Sequence, residues 1–123
     1  MIATAQALHE FFSQFGIPAY TENNIPKDAK LPYLTYPLKE PSWDKQESFY
    51  VNVYYRNDKS EMDCLSKADE ITGMIGEGIR LFFRGGMVVL WPGSPLVQTK
   101  PPETGVRGAY INLMMNAYHV PGM

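Results

Sequence analysis

The sequence contains few of the residues on which disulfides, metal sites and basic nucleic-acid surfaces depend. Its one cysteine, Cys64, cannot form an internal disulfide, and its two histidines, His9 and His119, do not complete a zinc-ligand cluster. Eleven basic residues against thirteen acidic ones give a net charge of −2, which excludes a basic nucleic-acid footprint. We therefore expect a protein of a reducing compartment that binds no metal and recognises no nucleic-acid sequence.

Long apolar runs and targeting signals are also missing. The apolar runs are far shorter than the ~20 residues that a membrane span needs. The opening residues, MIATAQALHEFF, lack the basic region of a signal peptide. We therefore expect no membrane partner and a soluble protein that stays where it is made. A chain of 123 residues, 45% hydrophobic and 20% charged, suits one globular domain over residues 1–123.

Hydrophobic periodicity predicts two helices. The first covers about residues 3–15, before the helix-ending pair Gly16 and Pro18. The second covers about residues 61–76, with Ser60 as its N-cap. The predicted apolar face of the first helix consists of Ile2, Ala5, Leu8 or His9, Phe12 and Phe15.

Strict alternation predicts strands over residues 47–56 and 106–120. Weaker signals mark short strands at 19–21 and within 31–38, where Leu34, Tyr36 and Leu38 share a face. A hairpin with its turn at Gly85-Gly86 joins residues 81–84 to 87–91. Residues 92–105, with four prolines, predict a long loop that contains at most a short strand at 96–99. The expected fold is α+β, a mostly antiparallel sheet of about four to five strands with two helices on one face.

Catalytic constellations are not apparent in the sequence. The glycines of residues 73–78 follow a helix, whereas a phosphate loop needs them between a strand and a helix start. Carboxylates such as Asp69 and Glu70 fall on a solvated helix face, where nothing separates their pKa values. Cys64 is interpreted as a small packing residue, and the two histidines as surface residues. We therefore expect no enzyme, no catalytic residue and no cofactor.

The second face of the two long predicted strands is rich in aromatic, amide and apolar side chains. Tyr and Met with little charge are typical of a protein–protein interface. The alternative is that the loop after Trp91 folds over this face within one molecule. Trp43, in a polar loop, is interpreted either as an anchor for a partner's pocket or as a lid on its own sheet. The candidate interface residues are Trp43, Tyr50, Tyr54, Tyr110, Asn112, Met114, Asn116 and Tyr118.

This pattern resembles the tail terminator proteins of long-tailed bacteriophages, also called tail-completion or minor tail-neck proteins. The resemblance depends on the opening helix, the segment PYLTY at 32–36 and the strand FYVNVYY at 49–55. That strand runs through the polar turn at 56–58 directly into the second helix, and a hairpin and a final long strand follow. In that family an alternating V-x-V-x-Y strand likewise leads through a short polar turn into an amphipathic helix.

The resemblance implies a structural protein of the virion tail or neck, present in the host cytoplasm during assembly. Such proteins form a homo-oligomeric ring, usually a hexamer, that caps the head-proximal end of the tail tube and stops its polymerisation. The implied partners are the chain itself, the tail tube protein and a head-completion or neck protein, without a cofactor. The alternatives are another neck component, such as a stopper or adaptor, and a non-viral binding module.

Overall fold

A computed structural model describes residues 2–38, 45–101, 103–120 and 122, and these residues form two helices and six strands. The elements in chain order are α1 (Ile2–Phe12), β1 (Ala19–Thr21), β2 (Tyr33–Tyr36), β3 (Glu47–Arg56), α2 (Glu61–Ile75), β4 (Ile79–Phe83), β5 (Gly86–Thr99) and β6 (Val106–His119). The fold class is therefore α+β, as predicted. The strands form one sheet in the order β1-β2-β3-β6-β5-β4.

The sheet is mixed, because β1 and β2 are parallel while the other neighbouring strands are antiparallel. The prediction of four to five strands is too low. Strand β1, which the sequence marks only weakly at residues 19–21, has three residues, and the N–H of Leu34 donates a 2.9 Å hydrogen bond to the carbonyl of Pro18 just before it. A strand this short carries little alternation in its own sequence, so its pairing with β2 defines it.

Both helices lie on the same face of the sheet, which is the core face. Helix α2 carries the chain from β3 across β6 and β5 to the far edge, where β4 begins. Helix α1 contacts β4 and also β1 at the opposite edge, so the sheet curls around this helix. The hairpins β4–β5 and β5–β6 then return the chain to β3 in the centre of the sheet.

The core forms where the two helices meet the apolar face of β3 and β6. Phe12 of α1 stacks on Tyr36 and on Phe49, with ring centroids 5.1 Å and 5.9 Å away. Helix α2 buries Ala68, Ile71 and Ile75 against the same face. At the start of α2, the backbone N–H of Ser60 donates a 3.0 Å hydrogen bond to the Asp63 carboxylate, which fixes the entry of the chain.

Helix α1 ends at Phe12, three residues earlier than predicted, and its buried face is rotated from the predicted one. The side chain of Gln14 donates a 2.9 Å hydrogen bond to the carbonyl of Phe11, which satisfies an acceptor that the helix end leaves open. Phe15 reaches the core from the turn that follows. Ile2 lies on the exposed side of the helix. The buried residues of α1 are Thr4, Leu8, Phe11 and Phe12.

The prediction of a long loop over residues 92–105 is wrong, because β5 continues to Thr99 and pairs with β6 along most of its length. A register shift between Pro92 and Val97 accommodates the prolines. At this bulge an added Cβ on Gly93 would lie only 2.8 Å from the backbone oxygen of Asn112, so the close approach of the two strands requires glycine.

Two smaller boundaries also differ from the prediction. The β4–β5 turn is formed by Arg84 and Gly85, one residue earlier than predicted, because Gly86 already pairs with Phe83. The backbone φ of +93° at Gly85 favours glycine at this position. Strand β2 ends at Tyr36, so Leu38 leaves the buried face and is exposed.

We expect Phe12→Ala to lower the free energy of unfolding by about 3–5 kcal/mol, because a fully buried ring stacked between two aromatic rings is removed. The measurement is urea unfolding at low protein concentration. Phe82→Ala is the matched control, since its ring is 55% exposed and its loss should cost about 1 kcal/mol. Equal decreases in the free energy of unfolding of the two variants would contradict the burial of Phe12 in the core.

Candidate interaction surface

The strand register places the predicted interface residues of β3 and β6 together on the second face, which we define as the face of the sheet opposite α1 and α2. Tyr50 lies directly opposite Asn112, and Asn52 lies opposite Tyr110. Tyr54 lies opposite Gly108 at one end of this pair of strands. All seven candidate residues that the structure describes belong to the second face, namely Tyr50, Tyr54, Tyr110, Asn112, Met114, Asn116 and Tyr118. Trp43 lies outside the described residues.

The second face extends beyond β3 and β6 to both edges of the sheet. On one side Tyr33 lies opposite Tyr54, and Tyr20 of β1 follows it outward. On the other side Trp91 lies opposite Met114, and the pairs Tyr118–Met87 and Met87–Phe82 continue the row to β4. These outer residues were missed in the sequence because their predicted strands are short and show too little alternation to assign a face. Only the cross-strand register assigns them to this face.

The tyrosines on this face contact one another in two groups. Tyr20, Tyr33 and Tyr54 form a row with ring centroids 5.5 Å and 5.6 Å apart. Tyr50 and Tyr110 meet edge to face at 6.3 Å, and the hydroxyl of Tyr110 donates to Oε1 of Gln98 on β5. Burial raises the pKa of Tyr33, and the neighbouring Tyr54 and Tyr20 raise it further. The phenol of Tyr33 is therefore uncharged at neutral pH. The rings of both groups are preorganised by their contacts with one another.

A groove of about 460 Å³ runs along the middle of the second face. The rings of Tyr50 and Tyr110 and the amides of Asn52, Gln98 and Asn112 line it. Tyr50 is 45% exposed, which is unusual for a tyrosine in the centre of a sheet. Rings beside amides offer apolar contact together with hydrogen-bond donors and acceptors, the combination found at protein interfaces.

Lys100 and Glu22 place one charge of each sign beside this groove. The ammonium group of Lys100 lies 3.1 Å from the hydroxyl of Tyr54 and 5.0 Å from the centre of its ring. An added Cβ on Gly108 would lie 3.2 Å from the ring of Tyr54, so glycine leaves room for this ring on the sheet. The side chain of Tyr54 is therefore positioned by contacts with the ammonium group of Lys100 and with the backbone of β6 at Gly108.

The second face is not closed by the segment after Trp91, which was the alternative interpretation of the sequence. That segment is the outer half of β5 and extends the sheet instead of folding over it. Trp91 itself lies half-buried on the second face. Asn116, also on this face, is largely buried, and its Oδ1 has no hydrogen-bond partner among the described residues.

The residues with potential for chemistry do not form a site in the described part of the chain. No group of three or more His, Cys, Asp or Glu side chains among the described residues could hold a metal ion. His9 lies exposed on α1, with Nδ1 3.2 Å from the hydroxyl of Tyr36 and Nε2 3.3 Å from Oγ of Ser13. Within the described ranges, no helix is both long enough and apolar enough to cross a membrane.

Cys64 is completely buried on the core side of α2, and its thiol donates a 3.5 Å hydrogen bond to the carbonyl of Arg107. Burial raises the pKa of the Cys64 thiol. The nearby guanidinium of Arg107 lowers the pKa, while Asp63 and Glu61 raise it further. The net direction is upward, so the thiolate is scarce at neutral pH and the residue packs in the core, as predicted.

We expect the Cys64 thiol to react with iodoacetamide far more slowly in the native protein than in urea, since both burial and the raised pKa oppose thiolate formation. Mass spectrometry over time measures the alkylated fraction. Raising the pH within the native range should accelerate the reaction, because the thiolate fraction increases. Rapid native alkylation at pH 7 would contradict the buried position.

The comparisons with known proteins identify a shared fold only. One solved structure aligns with 98% of this chain and 94% of its own length, at a TM-score of 0.66 and 14% sequence identity. The name of that protein carries no functional description. No family model matches the chain, and no curated protein matches it. The complete alignment at low identity indicates that this arrangement of helices and strands is found in another protein of the same size.

Proposed function

We propose that this protein is a ring-forming tail terminator of a long-tailed bacteriophage or prophage. In this role it caps the head-proximal end of the tail tube, stops tube polymerisation and provides the surface that joins the tail to the head. The protein acts within the virion tail or neck, by shape and contact and without a catalytic step. Its partners are further copies of itself, the tail tube protein and a neck protein.

The observation that carries the proposal is the second face. It presents a nearly uncharged surface of tyrosine, methionine, tryptophan and asparagine across all six strands, with Phe82 exposed at its edge. Tyr50 and Phe82 are exposed on this face, and the other rings are partly exposed. Contiguous exposed apolar groups rimmed by polar residues are typical of an interaction site. Enrichment in Tyr, Trp and Met and depletion of charge mark the core of protein interfaces.

A ring is the natural assembly for such a subunit. When one patch of a subunit binds a different patch of the next copy, the contact is heterologous, and it closes into a ring when the rotation between subunits permits. The element order, from the opening helix through the strand-to-helix junction at β3 and α2 to the last long strand, supports the choice of the terminator family among ring-forming proteins.

We expect the native mass of the purified protein to rise with concentration from that of a monomer to that of a closed ring. Light scattering after size-exclusion chromatography measures the mass, and negative-stain images of the same fractions show the shape. Rings that bind isolated tail tubes would support the terminator function. Rings that bind only head-side connectors would identify a stopper or adaptor instead, and a strict monomer at every concentration would contradict self-assembly.

Charged residues on the second face should abolish the rings and leave the monomer folded. We expect this result for the double variant Tyr110→Glu/Tyr118→Glu, because both side chains project from β6 onto the second face. Circular dichroism checks folding, and the native mass checks assembly. Ile2→Glu/Ile25→Glu is the control, since it adds the same two charges at exposed apolar residues outside the sheet. Intact rings in the double variant would count against this face.

A further inference from the structure

The outer side of α2 is a second surface that the fold leaves without a partner among the described residues. Met62 and Met74 are 69% and 52% exposed on it, although methionine is usually buried. Between them on the helix surface lie Ser66 and Gly73, which have a small side chain and none. An added Cβ on Gly73 would meet nothing within 4 Å. A flat surface with exposed methionines suits contact with another protein.

This surface also concentrates the negative charge of the protein. Residues 61–77 contain five acidic residues and one lysine, a net charge of −4, so the rest of the chain carries +2 although the whole carries −2. The lysine, Lys67, is engaged by the carbonyl of Phe15 at 2.7 Å and by the Glu70 carboxylate at 3.3 Å. The outer side of α2 is therefore strongly acidic.

The stability of α2 itself does not explain all of this acidity. Glu61 and Asp63 lie in the first turn, where the helix dipole favours negative charge. Asp69 lies near the middle of the helix, where the dipole has little effect on a charge. Glu77 follows the C-terminal cap, where the dipole disfavours negative charge and no basic residue occupies the last turn. The stability of α2 therefore accounts for neither Asp69 nor Glu77.

The complementary charge lies on the second face. Arg80 of β4 is exposed on this face beside Phe82, and Lys100 lies at the far end of β5. Because β4 is the edge strand, Arg80 also borders a hollow with Glu10 of α1 and so lies at the rim of the second face. The two side chains form no ion pair within 4 Å in the described part of the chain. The second face thus carries one exposed cation, Arg80, on its edge strand β4, whereas Lys100 lies beside the central groove and is engaged by Tyr54.

We propose that the second face of one subunit binds the outer side of α2 of the next copy in the ring. This inference rests on the proposed function and names the two patches that meet. Met62 and Met74 pack on the row that contains Tyr118, Met87 and Phe82. Arg80 lies against Asp69 and Glu77 of the neighbour. The contact is heterologous, as ring closure requires, and it covers the second face with a helix layer as α2 covers the core face.

Charge reversal tests this pairing. Arg80→Glu alone and Asp69→Lys/Glu77→Lys alone should each raise the concentration of half-assembly at least about tenfold, because like charges then meet across each interface. A 1:1 mixture of the two variants should restore rings, since alternating subunits place opposite charges at every contact. The chain that carries all three substitutions should also assemble. Lys59→Glu and the double variant Asp28→Lys/Asp58→Lys, at exposed residues of turns, are the controls matched in charge.

The outcomes separate this inference from the proposed function. Circular dichroism and thermal melting of each variant at low concentration exclude unfolding as the cause. Rings that form in the native protein and tolerate both charge reversals would overturn this pairing but would leave the proposed ring-forming function standing. Rings that tolerate the α2 reversal but no longer bind tail tubes would assign the outer side of α2 to the tube protein and also overturn it. A native protein that never assembles would overturn the proposed function and this pairing together.

Discussion

A sheet has two faces, and two helices of this length on the same side cover only one of them. Phe12, Phe49 and Ile71 meet on the covered side and form a dry core. The side chains that alternate with Phe49 along β3, and their counterparts on β6, point to the second face, because successive side chains of a strand lie on opposite faces of the sheet. In the middle of β3 and β6 those side chains are tyrosines, asparagines and a methionine, and Arg56 brings a charge only at the end of β3. This difference in residue type between the two faces is the basis of the candidate interaction surface.

The second face is ordered before any partner arrives. Its tyrosines contact each other across strands, Lys100 fixes Tyr54, and Gln98 accepts from Tyr110. Side chains held in this way lose little rotational freedom when a partner binds, which lowers the entropic cost of association.

Among the described residues, the outer side of α2 and the second face differ in charge, which is the basis for the pairing between copies that we propose. The outer side of α2 is acidic and carries exposed methionines, whereas the second face is aromatic and carries the exposed Arg80 at its β4 edge. Identical charges on a single self-complementary patch would repel at a two-fold axis. Opposite charges on two separate patches instead favour a head-to-tail arrangement of subunits, and repeated rotation then closes or extends the assembly.

The sequence by itself determined the elements whose patterns are local. Alternation set β3 from Glu47 to Arg56 at both ends, and the Ser60 cap set the start of α2, because neighbouring residues suffice for both signals. The same alternation identified Tyr50, Tyr110 and Asn112 as one surface. Buried and exposed positions of these strands could therefore be assigned without knowledge of any partner strand.

Only the tertiary structure decided the elements that depend on distant residues. Strand β1 exists through its pairing with β2, and the proline-containing half of β5 is a strand because β6 supplies its hydrogen-bond partners beyond the bulge at Gly93. Helix α1 ends at Phe12 because Phe15 must turn into the core. Trp91 and Phe82 joined the second face through cross-strand register, which no local pattern encodes. Propensity is a weak guide wherever long-range pairing supplies the larger free energy.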